Sequence, residues 1–277
     1  MRLILTGFLV TLLILTSGCA SFFAPWFPPK EKEVQEDLKS EHSWLGKEQT
    51  EKEKEASAVL HTQLAGAYYN RGQYKIAIDE ADKALNANPD YAPAYNVLGL
   101  VYMNLKEDKL AKENFDRALE IAPNDPETHN NYGWFLCQRI PEQMDQAMKH
   151  FMEALKDPLY STPEMSNTNA GTCELSRGGY KSAERFFQQA LALKPEYSQA
   201  LIGMAETHFM SGNLPAARLN LLHYMHTTST PTAKSLLLGV RIERKSGNRN
   251  SAASYASQLT KRFPNSDEAA ALRNGKF

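Results

Sequence analysis

The sequence predicts an all-α chain: a right-handed superhelical solenoid of six helical hairpins, closed by a short C-terminal capping helix. Three observations carry that prediction. One helix ending is written three times, as "DKALNANPD" from Asp82, "DRALEIAPND" from Asp116 and "QQALALKPE" from Gln188. Equivalent residues recur 34 positions apart: Ala77 and Ala111, Ala84 and Ala118, Pro89 and Pro123, with Leu64 and Tyr68 returning as Leu98 and Tyr102. The apolar residues between these marks fall at helical spacing, so each period holds helices rather than strands.

The chain begins with Arg2 and an apolar run, "LILTGFLVTLLIL", from Leu3 to Leu15. It is short for a membrane span and has the length of the apolar region of a secretory signal. Ser17 and Gly18 lead into Cys19, an arrangement similar to the lipobox of bacterial lipoproteins, although Thr16 stands where Leu is usual and Leu15 lies one place further out. Residues 1–18 are therefore expected to be a lipoprotein signal peptide and Cys19 to be lipidated. Ala20 in second place, rather than Asp, implies sorting to the outer membrane, with the protein anchored on its periplasmic face. Two or more acyl chains anchor stably where one does not.

Residues 19–55 are expected to form a lipidated, charged tether. Pro25, Pro28 and Pro29 prevent regular structure early on, and "KEKEVQEDLKSEHSWLGKEQTEKEKE" is rich in charge and poor in apolar residues. Such a segment buries too little to offset its ordering entropy, beyond transient helix. As a flexible coil of roughly 35 residues it would reach about 30–35 Å. Trp44 and Leu45 are its apolar exception, read as an exposed pair or one docked on the first helix.

The domain at 56–277 divides near 58–91, 92–125, 126–161, 164–197, 198–231 and 232–265. A 34-residue period with a terminal Pro is the mark of the tetratricopeptide repeat. The second repeat keeps nearly every marker: Tyr95, Leu98, Gly99, Tyr102, Ala111, Phe115, Ala118 and Pro123. Gly99 and Ala111 let the two helices approach, Tyr102 and Phe115 fill the space between them, and Pro123 stops the second helix. The third repeat carries a longer inner turn, "QRIPEQMD", and the sixth is one residue out of phase. Beyond Pro264, Ser266 caps a short helix that ends near Gly275.

First helices of such repeats line a groove. Positions 2, 5, 9, 12 and 13 of each repeat give a candidate partner-binding groove of Asn70, Asn96, Leu100, Met103, Asn104, Asn130, Trp134, Gln138, Thr168 and Thr172, continued by Ile202, Glu206 and Phe209. Amides can pair with an extended peptide backbone, and Trp134 and Phe209 offer large apolar anchors. The bland alternative is that several of the amides only bond one another or cap helices. The Lys and Arg clamp that holds C-terminal carboxylates in some repeats of this kind is missing at these positions. Cys137 and Cys173 sit late on the first helices of adjacent repeats, which pack side by side. In an oxidising compartment a disulfide is expected, the alternative being two buried thiols.

The remaining signals argue against catalysis. No Gly-rich phosphate loop, "GxSxG" or "HExxH" is present, and "RGGY" at Arg177 is an inner turn. His223 and His226 lie i,i+3 without further ligands, so no metal site and no cofactor is expected. A net charge of -1 over 277 residues gives no overall attraction to nucleic acid, and no small-molecule substrate is indicated.

Taken together, the lipobox, charged tether, six repeats and cysteine pair in the third and fourth repeats resemble the type IV pilus biogenesis and stability lipoproteins, the PilF/PilW group of pilotins. "NNYGWFLC" (Asn130 to Cys137) and "NTNAGTCEL" (Asn167 to Leu175) carry the likeness most strongly. The resemblance implies an outer-membrane scaffold that binds the pilus secretin subunit and helps it reach the membrane and assemble its ring, without catalysis. The alternatives are another outer-membrane scaffold, serving cell-wall synthesis or outer-membrane protein assembly, and a periplasmic chaperone.

Overall fold

A computed structural model describes residues 31–275, with side chains described from residue 50 onward. The signal peptide, Cys19 and the prolines after it lie outside the described residues, as do the side chains of Trp44 and Leu45. By its contacts the chain divides into two units, Met1–Glu51 and Lys52–Phe277.

Thirteen α-helices occupy the described residues. Helix α1 runs Glu31–Asn70. Then α2 (Tyr74–Ala87), α3 (Ala92–Leu105), α4 (Asp108–Ile121), α5 (Pro126–Arg139) and α6 (Met144–Ala154) follow. The second half holds α7 (Pro163–Ser176), α8 (Tyr180–Leu193), α9 (Ser198–Met210), α10 (Leu214–Thr227), α11 (Ala233–Lys245), α12 (Arg249–Arg262) and α13 (Asp267–Arg273). The last turns of α1 with α2 form the first hairpin, the pairs α3/α4 through α11/α12 form the next five, and α13 is the cap.

The helix α1 differs from the coil expected of the charged segment, since it is already helical from Glu31. Its sequence is dominated by Glu, Lys and Gln, which lose little freedom in a helix. Propagation from a nucleated helix needs no apolar face, whereas the coil expectation rested on the lack of a core to bury.

Within a hairpin the core is small-against-large. A Cβ at Gly99 would stand 2.7 Å from the Phe115 ring, and one at Gly133 2.9 Å from Phe151. Ala111, Phe115, Ala147 and Phe151 are fully buried as a result. Inner turns use a left-handed residue: Gly72, Gly178, Gly212 and Gly247 take it without strain, while Lys106 holds the place at φ 64° in the second repeat. The longer third turn is absorbed by a 3-10 turn, Pro141–Gln143.

First helices of successive repeats touch one another (α3 with α5, α5 with α7, α7 with α9, α9 with α11). Second helices instead meet only their own partner and the first helix that follows, as α4 meets α5 and α8 meets α9. The layer with the closer neighbours is the inner one, so first helices line the inner face of the solenoid.

Candidate partner-binding groove

The predicted groove residues separate into two sets. Leu100, Met103 and Trp134 are half-buried, packed with one side against the core cluster around Phe115 and Phe135. Asn70, Asn104 and Gln138 are exposed and Thr172 is half-buried. Asn104 is steadied by its Nδ2, which donates to the Tyr69 hydroxyl (3.0 Å) and to the Leu100 carbonyl (3.0 Å). Apart from Asn70, the last residue of α1, these side chains form an apolar patch edged by amides across α3, α5 and α7.

Asn96, Asn130 and Thr168 are not surface groups. Asn96 is 4% exposed and Asn130 1%, and Thr168 spends its hydroxyl on the Glu164 carbonyl at 2.8 Å. The buried amides bond one another. Asn131 Nδ2 donates to Asn96 Oδ1 (3.1 Å), Asn130 Nδ2 donates to Asn131 Oδ1 (3.3 Å), and Asn169 Nδ2 donates to Asn130 Oδ1 (3.0 Å). This ladder ties α3, α5 and α7 side by side beneath the patch. Position-counting selects Asn96 and Asn130 but passes over Asn131 and Asn169. The doubled amide "NN" and the "NTN" one repeat later are the signal that could have found them.

Cys137 and Cys173 form a disulfide, with Cα atoms 6.0 Å apart, so α5 and α7 are also linked covalently. A cleft of about 590 Å³ opens beside it, lined by Gln138, Glu142, Asp145 and Arg177. Arg177 is held by Glu174 and by Asp145 (2.8 Å). The arrangement fixes the spacing of the repeats on which Trp134 and Thr172 stand.

A pair of histidines joins α5 to α6 behind the patch. The Nδ1 atoms of His129 and His150 lie 2.9 Å apart, and His129 Nε2 lies 2.9 Å from the Pro123 carbonyl. One proton between the two Nδ1 atoms satisfies both only while one ring is neutral at that atom. Burial, and then the neighbouring His129, lower the His150 pKa from 6.5 to about 4. Next to it the Tyr132 hydroxyl donates to Asp116 at 2.6 Å, and burial followed by that carboxylate pushes the phenol up to about 12. Among the described residues no three His, Cys, Asp or Glu side chains are grouped to hold a metal ion.

A cleft of about 620 Å³ lies away from the predicted groove, between α6, α7 and α8. It is lined by Met152, Leu155, Phe186 and Leu193, and it opens where the Leu155–Thr162 connection is longer than its counterparts. No repeat position or motif in the sequence points to it.

The tetratricopeptide-repeat family matches residues 92–125, 114–156 and 174–236. The type IV pilus assembly protein PilF of Pseudomonas aeruginosa is 30% identical over 221 residues, 79% of this chain and 86% of that protein. Among solved structures, PilW, described as a widely conserved type IV pilus biogenesis factor, superposes with a TM-score of 0.72 at 34% identity, covering 78% of this chain and 97% of that one. The structure of the Pseudomonas aeruginosa protein gives 0.69 at 28% identity, covering 80% and 99%.

Proposed function

The chain belongs to the PilF/PilW family of tetratricopeptide-repeat proteins of type IV pilus biogenesis, and from that premise we propose that it acts as a pilotin. In this reading it is an outer-membrane lipoprotein, anchored through Cys19 on the periplasmic face. It binds the pilus secretin subunit and promotes its localisation and assembly into multimers, by binding rather than by chemistry. The observation that supports it is the inner patch of Leu100, Met103, Asn104, Trp134 and Gln138, carried on adjacent first helices.

A half-buried Trp beside exposed amides suits an apolar side chain of an extended segment, with the amides pairing to its backbone. The amide ladder and the disulfide hold the patch rigid, which reduces the ordering cost of binding.

Trp134→Ala tests the reading. As an anchor its loss costs about 2 kcal/mol of binding, roughly thirtyfold in affinity. The expected result is loss of secretin multimers and pili, read on unheated gels and by microscopy, at a melting temperature close to that of the parent. Because Trp134 also touches the core, the exposed Gln138→Ala is run beside it and is expected to weaken binding without any thermal effect. Early melting and degradation of the Trp134 variant, with Gln138→Ala fully active, would assign Trp134 to packing alone and remove the patch as the binding surface.

A further inference from the structure

The last two repeats are charged unlike the rest. Residues 198–265 hold eight Lys and Arg against two acidic residues, Glu206 and Glu243, a net charge of +6 in a chain whose total is -1. Both carboxylates are already engaged. Glu206 pairs with Lys234 at 3.2 Å. Glu243, almost wholly buried, pairs with Arg218 at 2.9 Å and accepts from Asn248 at 2.7 Å.

Three of the cations converge. Arg241, Arg244 and Lys245 share one face of α11 and, with Phe209 of α9, line a cleft of about 330 Å³ between two first helices, on the inner side of the solenoid. The Lys245 ammonium stands 4.7 Å from the centre of the Phe209 ring. The Nε of Arg241 is shielded from solvent and has no hydrogen-bond partner. The macrodipole favours cations at a helix C-terminus, which accounts for Arg244 and Lys245. It does not account for Arg241 a turn earlier in the same cleft, nor for the Phe209 ring beside Lys245. The out-of-phase sixth repeat brings these residues to the inner face, where counting positions from a regular repeat finds no cationic clamp.

We infer that the cleft between α9 and α11 is a binding site for an acidic peptide segment, one that carries an apolar side chain beside its carboxylate. The carboxylate meets the guanidinium of Arg241 and the ammonium of Lys245, and the apolar side chain lies on Phe209. A cleft lined by an aromatic ring as well as cations suits a peptide better than a flat bilayer of phosphates. The inference goes beyond the pilotin reading and does not rest on the Trp134 patch.

The test uses the full-length chain in mild detergent and a short fluorescein-labelled peptide holding Phe between two Glu, with a Gln-for-Glu counterpart as control. The acidic peptide is expected to bind, to weaken as salt rises, and to lose about tenfold in affinity with Arg241→Gln or Lys245→Gln. Lys261→Gln, exposed on α12, changes net charge equally and is expected to leave binding unchanged. Thermal melts confirm that each variant is folded. Equal affinity for the Gln peptide, or unchanged affinity in both Arg241 and Lys245 variants, overturns the inference. So does an outcome in which vesicles of phosphatidylglycerol and phosphatidylethanolamine, but not the peptide, lose affinity for those variants, since that would make the charge a membrane contact.

Discussion

Asn131 satisfies two other buried amides at once, giving a hydrogen to Asn96 on the preceding repeat and taking one from Asn130 beside it. Asn131→Ala takes the partner from Asn96 Oδ1 and from Asn130 Nδ2, while Asn130 Oδ1 still accepts from Asn169, and each buried polar atom left unpaired costs about 1–3 kcal/mol. The expected loss of roughly 2–4 kcal/mol is read from urea or thermal unfolding, and a change below about 0.5 kcal/mol, the scale of an ordinary surface substitution, would mean that the ladder is replaceable by water. His150 has a pH signature of its own. Its pKa lies near 4 in the fold against 6.5 unfolded, because burial and His129 disfavour the charged ring. Around it stand Lys112 and Asp116 of α4, His129 of α5 and Glu153 of its own helix. A depressed histidine contributes its stability fully above the unfolded value. As pH falls from about 6.5 toward about 4 the unfolded chain gains a proton that the folded chain refuses, and stability is lost across that window. His150→Gln keeps a partner for His129 and is expected to flatten the dependence of melting temperature on pH there. Parallel curves for parent and variant would place the acid sensitivity on other groups.

The hairpin is the unit in which these residues act. Phe115, Phe151 and Phe187 each fill the space under a glycine of their own repeat, so most of the core is local to about 34 residues. Contacts between repeats are fewer, and that is where the third and fourth repeats have additional ties: the amide ladder and the bond between Cys137 and Cys173. The disulfide spans 36 positions, and a loop of that size stabilises by about 3–4 kcal/mol in the chain-entropy account. Cys137→Ser with Cys173→Ser is expected to lower the unfolding midpoint accordingly and to remove the effect of reductant on it. Thiol titration of the denatured, unreduced parent is expected to find neither cysteine free. Two reactive thiols would contradict the bond directly. The longer third turn and the Leu155–Thr162 connection leave the repeat core intact, since Ala147, Phe151 and Ala154 remain fully buried.

At the scale of the molecule, charge and anchoring divide the chain. The basic character belongs to repeats five and six, the apolar patch with Trp134 to the second and third, and the anchoring cysteine of the proposal stands ahead of both. A solenoid lets these act separately, because each repeat is stabilised mainly by its neighbours. Cys19→Ser is therefore expected to leave the melting of the repeats unchanged while releasing the protein from the outer membrane on fractionation. Retention of the variant after a high-salt wash would show that another contact anchors it.

The periodicity of Ala, Gly, Phe and Pro was enough to read the six hairpins and the cap, because every one of those residues acts within its own repeat or against the next. The cysteine pair was legible from its placement, late on two adjacent first helices that pack side by side. The helical start at Glu31 was not, because burial and helix propensity disagree in a Glu- and Lys-rich segment. Which amides reach solvent was also decided above the repeat: Asn96 holds a groove position by count, yet Asn131, 35 residues on, draws it inward. The same holds for the cationic cleft, whose residues come together only through the shifted phase of the last repeat. Sequence spacing fixes a side chain's place on its helix, but the angle between neighbouring helices determines whether that place faces water, a partner or the core.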